Sequence, residues 1–290
     1  MLSGHRVLLQ GQSPHPWEQQ AVAFIRSALP DTDPYLLWAL VDYQEPSGRI
    51  AQVDAVVLGF HALYLVEIKS WPGTVTGNSL DWVNVRPDGG RLLKSNPYHR
   101  CAEVARILAG GLDRVWREPK VARAYVEPLV FLSHEDVKIE LPEAVRANLV
   151  TRATFSRAIT HGEIPVSGER VRAHGERHPV NRTCIKATID AMRRLGLHES
   201  KAILKLGDLQ LKRVIEEGEG YQDWAAMHET IGVRRRVRLW LVPQSPTAER
   251  RDHLARAART EAEGRRPLQS LVRHVIKMRC HDRIHKPAAA

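Results

Sequence analysis

The chain has 290 residues, 43% of them apolar and 26% charged, which is enough for one large domain or two ordinary ones with a full core. Its three cysteines (Cys101, Cys184, Cys280) are odd in number and far apart, against a disulfide framework, and residues 1–25 lack a basic start followed by an apolar block, against a signal peptide. The net charge of +10 is uneven: residues 1–200 hold 24 Lys/Arg against 22 Asp/Glu and residues 201–290 hold 19 against 11, so bulk charge makes no nucleic-acid case for the first two thirds.

In chain order, Ser13-Pro14 starts a predicted helix over 14–29, with Trp17, Ala21, Phe24, Ile25 and Ala28 on one face. Strands are predicted at 35–43, 50–58 and 62–69, the last two joined by Gly59-Phe60-His61 as an antiparallel hairpin. "TVTG" and "DWVNV" suit short strands and "RPDGGR" a turn. A long helix pattern covers 96–118, with Pro97 in its first turn, and a buried strand covers 124–134 with Pro128 as its blemish. Residues 142–162 and 179–196 read as further helices, residues 202–242 alternate like antiparallel strands, and a basic helix covers about 246–271. No apolar run reaches membrane-spanning length, so a soluble cytoplasmic protein without a membrane partner is the expectation.

Three charged residues interrupt the apolar hairpin. Asp54 sits beside Ala-Val-Val-Leu, and Glu67 and Lys69 end Leu-Tyr-Leu-Val-Glu-Ile-Lys. Charge in a buried strand is costly unless it is paired or binds a metal. Glu67 and Lys69, two apart, point the same way, and the hairpin brings Asp54 alongside Glu67. Two close carboxylates repel, and a divalent cation resolves the repulsion. Oxygen ligation with retained waters suits Mg²⁺ or Mn²⁺, held by Asp54, Glu67 and the carbonyl of Ile68. Lys69 would orient or activate a water and steady charge at a phosphate, which makes a site for phosphodiester hydrolysis. Glu-x-Lys alone, a very common tripeptide, reads first as a solvent-exposed ion pair of little energetic weight; Asp54 at hairpin distance, the flanking apolar runs and the element order turn the reading to a metal site.

The helix–three strands–helix–strand order with Asp54, Glu67 and Lys69 resembles the PD-(D/E)XK nuclease superfamily. The chain is more closely similar to the nuclease-related (NERD) domain, through Glu18 in "PWEQQ", "VDAVVL", "VEIKSWPG" and the helix-opening Asn96-Pro97. The resemblance covers about residues 10–135. It implies an α/β fold with a restriction-endonuclease-like αβββαβ core and added helices, and a supporting role for Glu18 at the metal. Many relatives carry Gln four residues after the Asn, where this chain has Arg100; with Asn96, Arg100 is a candidate nucleic-acid contact.

"VIEEGEGYQDW" followed by "RRVRLWLV" resembles the first strands of a protein kinase, with Gly218-x-Gly220 opening the phosphate-covering loop. Asp223 stands where a third Gly is expected, Trp240 where the nucleotide-binding Lys is expected, and Glu261 where the ion-pairing Glu would fall. No His-Arg-Asp loop and no Asp-Phe-Gly occurs, so kinase chemistry is not expected. The expected organisation is a nuclease-related domain over 10–197, a small α+β segment resembling a partial kinase N-lobe over 205–275, and a basic tail over 276–290. That order resembles the large kinase of the phage growth limitation (BREX-type) defence systems. It implies a metal-dependent DNA nuclease in phage defence or DNA processing, with other defence-system proteins as partners. The alternative is a catalytically inactive nucleic-acid- or protein-binding module with a degenerate kinase-like docking segment. Cys280, His281 and His285 have a hint of metal spacing that a basic tail also produces by chance.

Overall fold

The computed structural model describes residues 1–13, 15–45, 50–200, 204–218 and 221–240, with isolated positions 252, 253 and 256. The chain divides into two compact units, residues 1–43 with 51–202 and residues 44–50 with 203–290.

In the first unit β1 (Val7–Gln10), α1 (Pro16–Ala28), β2 (Leu36–Gln44), β3 (Ile50–Leu58) and β4 (Leu63–Lys69) follow one another. Next come β5 (Gly73–Gly77), β6 (Asp81–Val85) and β7 (Arg91–Ser95), then α2 (Pro97–Val115), β8 (Val126–Leu132) and β9 (Val137–Glu140). β10 (Leu149–Thr151), α3 (Arg152–His161), α4 (Gly168–Arg177), α5 (Arg182–Leu195) and β11 (His198–Glu199) complete the unit. The main sheet has the order β1-β2-β3-β4-β8-β10, with β11 also on β2. β3 and β4 are antiparallel, whereas β4, β8 and β10 run parallel. A smaller sheet, β7-β6-β5-β9, grows from the chain just beyond Lys69.

Strand alternation explains the layering. Tyr64, Val66 and Ile68 of β4 pack with Ala21, Val22 and Ile25 of α1 and with Phe155, Ile159 and Val171 of α3 and α4. Leu63 and Leu65 face Cys101, Val104 and Leu108 of α2 and Ile185 and Met192 of α5. The result is a sheet covered by helices on both faces, the setting in which parallel strands read as continuous apolar runs. The α/β architecture and the helix–three strands–helix–strand order agree with the sequence reading.

Several elements differ from that reading. Residues 142–162 hold β10 before α3, and α4 was not anticipated because it buries only Gly168, Val171 and Gly175. β1 and β11, of four and two residues, are too short for a period to show. Pro128 is tolerated in the fully buried β8 because β10 pairs only with Val130–Leu132, leaving no β10 ladder bond at Pro128 to lose. Among the described residues no helix is long and apolar enough to cross a membrane.

The second unit contains the antiparallel meander β12 (Leu204–Leu206), β13 (Leu209–Gly218), β14 (Tyr221–His228) and β15 (Arg234–Trp240). Leu206, Leu209, Leu211, Trp224, Ala226, Val237 and Leu239 form its apolar face. The helix expected over 246–271, with Glu261, and the tail with Cys280, His281 and His285 lie outside the described residues apart from positions 252, 253 and 256.

Candidate nuclease site

The pairing of β3 with β4 ends at Ala55 opposite Val66, and one further step sets Asp54 opposite Glu67. At that point the β3 alternation slips. Ala55 and Val57 pack toward α1, while Val56 and Leu58 pack toward α2. Val53, which strict alternation would place with Ala55, packs with Val56 instead. This is how a strand behaves where its ladder ends or bulges. The Asp54 carboxylate then takes up the exposed ladder donor: the Ile68 backbone N–H donates to Asp54 Oδ2 at 2.7 Å. Because N–H and C=O of one strand residue face the same neighbour, the Ile68 carbonyl also turns toward the Asp54 side.

Glu67 and Lys69 follow Leu63 and Leu65 on the α2-facing side, and the Lys69 ammonium donates to Glu67 Oε1. Neither is fully exposed; the side chains retain 26% (Lys69) and 23% (Glu67) of their accessible surface. Burial, and then the charge of Glu67, push the Asp54 carboxyl up to about 8, against the pull of Lys69 and the Ile68 N–H. For Lys69 burial opposes the charge, but Glu67 and Asp54 outweigh it and hold the ammonium above its usual range. Lys69 is therefore a fixed cation at neutral pH, suited to stabilising negative charge rather than to taking a proton.

Glu18, in the first turn of α1, lies near enough to add its repulsion to Asp54 and its attraction to Lys69. Its own carboxylate is held by the buried Ser13 hydroxyl, which donates to Glu18 Oε2 and accepts from the His15 N–H at 3.0 Å. The sequence reading takes Ser13-Pro14 only as a helix start; α1 is capped by His15 without a side-chain capping bond, and Ser13 holds the Glu18 carboxylate instead.

Among the described residues no three His, Cys, Asp or Glu side chains stand grouped for a metal. The donor set on offer is two carboxylates and a carbonyl. Mg²⁺ commonly binds through one or two carboxylates while keeping waters, so this set fits a hard divalent cation. Burial is the first cause of the raised Asp54 carboxyl and the Glu67 charge the second, and the Lys69 charge lowers it without cancelling the two.

Asn96 and Arg100 lie on the first turns of α2. Asn96 is buried and caps the helix, accepting from the Tyr98 N–H at 3.0 Å and donating to the Ser79 carbonyl at 3.1 Å. Arg100 donates to Glu103 at 2.9 Å in a half-exposed pair. The thiol of Cys101 sits behind β4, contacting the Leu65 and Leu129 carbonyls at 3.5 and 3.4 Å. Burial, and then Glu67, push that thiol well above its usual range.

In the second unit Gly218 pairs with Tyr221 at the β13–β14 turn, and a Cβ at Gly218 would meet the Tyr221 ring at 2.3 Å. Gly220 lies outside the described residues. Asp223 is completely buried and held by Arg238 at 2.6 Å and by Arg236, which also reaches Glu216. Arg238 stacks on the Tyr221 ring at 3.9 Å, and the Trp240 ring lies 5.9 Å from that of Tyr221. Burial opposes ionisation of Asp223, but the Arg238 and Arg236 hydrogen bonds outweigh it and hold the carboxyl below its usual range.

Residues 13–133 match the model of the nuclease-related domain, NERD. The chain is also similar to the probable kinase PglW of Streptomyces coelicolor (strain ATCC BAA-471 / A3(2) / M145), at 28% identity over 246 residues, 84% of this chain and 15% of that protein. No solved structure matches the chain. Asp54, Glu67 and Lys69 stand at one end of a helix-covered sheet, and the match to the nuclease-related domain over residues 13–133 spans all three.

Proposed function

We propose that the first unit hydrolyses phosphodiester bonds in DNA with the help of Mg²⁺ or Mn²⁺. The observation that carries this reading is the convergence of Asp54, Glu67 and Lys69 at the β3–β4 strand ends, where burial and Glu67 raise the Asp54 carboxyl. Asp54, Glu67 and the Ile68 carbonyl would hold the cation, and Glu18 would support it. The cation, when bound, supplies Lewis-acid stabilisation of charge at the phosphate. Lys69 orients the attacking water and steadies the developing phosphate charge with its fixed ammonium. Arg100, half-exposed on the first turn of α2, would contact the nucleic-acid backbone, with Asn96 setting that turn in place. Phage defence or DNA processing is the setting we infer from the likeness to PglW, with other defence-system proteins as partners.

The test is cleavage of supercoiled and linear plasmid DNA by the full chain with Mg²⁺, Mn²⁺ or EDTA, beside Glu67→Ala and Lys69→Ala. We expect cutting that EDTA abolishes and that each substitution lowers about 10²–10³-fold. Undiminished cutting by Glu67→Ala would sink the assignment.

A second reading has its own observation. Arg236 and Arg238 close on the buried Asp223 where a kinase would keep an open phosphate loop, and Trp240 replaces the expected Lys. This supports a degenerate segment that docks a partner, leaving Gly218 and Gly220 at most a minor nucleotide contact. If the full chain folds but neither cuts DNA nor binds Mg²⁺ through Asp54 and Glu67, this regulatory reading replaces the first.

A further inference from the structure

A cleft of about 640 Å³ opens between Arg117 and Glu118, just after the C-terminal end of α2, and α5. Its charged lining is Arg117, Glu118, Lys186, Asp190, Arg193 and Arg194. Asp190 is engaged by Arg194, whose guanidinium also reaches the Val115 carbonyl at 3.5 Å. Arg117, Lys186 and Arg193 make no ion pair among the described residues, so three cations without a carboxylate partner line the cleft beside Glu118. The helix explains the stripe: Lys186, Asp190 and Arg193 recur at i, i+4 and i+7, while Ile185, Met192 and Leu195 turn inward to the core. Unpaired guanidinium and ammonium groups around one open cleft are a site for phosphate oxygens.

The position of the cleft matters as much as its charge. Cys101 of α2 lies behind β4 at the level of Leu65, close enough to feel the charges of Glu67 and Asp54. From Cys101 to Val115 the helix climbs about 21 Å at 1.5 Å per residue. Along B-form DNA, at 3.4 Å per base pair, that span is about six base pairs. We propose that this cleft is a second phosphate-binding site that grips the backbone of the same duplex away from the point of cleavage. The proposal rests on the nucleic-acid reading of the carboxylate site but not on that site being catalytic. It also answers the near-neutral charge of residues 1–200, because it needs a local cluster rather than a basic domain.

The experiment is fluorescence anisotropy in EDTA, with the full chain titrated against end-labelled duplexes of 6 and 30 base pairs at several salt concentrations. The Arg117→Ala/Lys186→Ala/Arg193→Ala protein is compared with the parent, and matching thermal melts check that it folds. Each lost phosphate contact lowers the slope of log affinity against log salt by about 0.9, so the triple variant should lose about 2–3 from its slope on the long duplex. It should also bind that duplex at least about tenfold more weakly, with the short duplex unaffected. Unchanged slope and affinity on the long duplex overturn the proposal. So does displacement of the long duplex by poly-glutamate at lower charge concentration than by competitor DNA, which would make the cleft a site for an acidic protein. The two readings separate cleanly. A protein that binds long duplex through the cleft but never cuts defeats the nuclease assignment alone, and one that cuts with the triple variant indistinguishable defeats the cleft alone.

Discussion

The Ile68 backbone N–H donates to Asp54 Oδ2 at 2.7 Å, so the carboxylate that opens the candidate site is held by the neighbouring strand at the point where the β3–β4 ladder stops. One side chain thus closes the sheet and begins the site. Its chemistry is read most directly without a cation.

Burial and Glu67 raise the Asp54 carboxyl to about 8 in the fold, above the roughly 3.9 of an unfolded chain. A group whose pKa rises on folding adds stability that is complete below its unfolded value and is lost as pH climbs through its folded one. In EDTA the melting temperature should therefore fall as pH rises between about 4 and 8 by more than in Asp54→Asn, where this titration is gone. Thermal melts across that range check it; identical pH profiles for the two proteins would remove Asp54 as their source.

Cation binding must displace the same proton. Below about pH 8 the affinity for Mg²⁺ or Mn²⁺ should rise with pH, approaching tenfold per unit, with proton release on binding. Calorimetry in buffers of different ionisation enthalpy measures that release. In Asp54→Asn both the affinity and the proton release should collapse.

Ser13 offers a test of whether Glu18 belongs to the site. Its hydroxyl holds Glu18 Oε2, so Ser13→Ala should free the carboxylate without removing it. Losing such a supporting bond lowers metal affinity by about tenfold. The double variant Ser13→Ala/Glu18→Ala should then be no worse than Glu18→Ala alone. Additive losses would show that Ser13 acts by another route.

In the second unit, Asp223→Ala would strand the Arg236 and Arg238 guanidinium groups that a buried carboxylate now satisfies. Breaking a buried pair from one side costs about 3–5 kcal/mol, discounted here because Arg236 is nearly half exposed. Urea unfolding of the full chain should show a second-unit transition weakened by about 2–3 kcal/mol, with the first-unit transition unmoved.

The sequence carried the hairpin because apolar alternation in "LYLVEIK" leaves Glu67 and Lys69 conspicuous on one face, and α1 and α2 announced themselves by periodicity, α2 also by Pro97, while α1 begins at Pro16 and not at Ser13-Pro14. Other features stayed hidden for physical reasons. In α4, "GERVRAHGER" packs through two glycines and one valine, and Gly175 lies against His61 so closely that a Cβ would come within 2.7 Å of its Cα. Close backbone approach of that kind leaves no apolar period to read. The slip at Asp54 is a property of where pairing ends, which no local pattern encodes. Asn96 was read as a nucleic-acid contact, and the fold shows the capping bonds that also account for an Asn before a Pro.

Cys101 gives the molecule a built-in reporter. Its thiol is wholly buried, raised out of reach of ordinary reagents, and lodged between the Leu65 and Leu129 carbonyls, two residues along β4 from Glu67. An alkylating reagent can meet it only when α2 lifts from the sheet, so the rate of modification at this one sulfur clocks the breathing of the layer behind the site. A cation that ties β3 to β4 should slow that clock, which gives occupancy a readout even in a variant that has lost all power to cut.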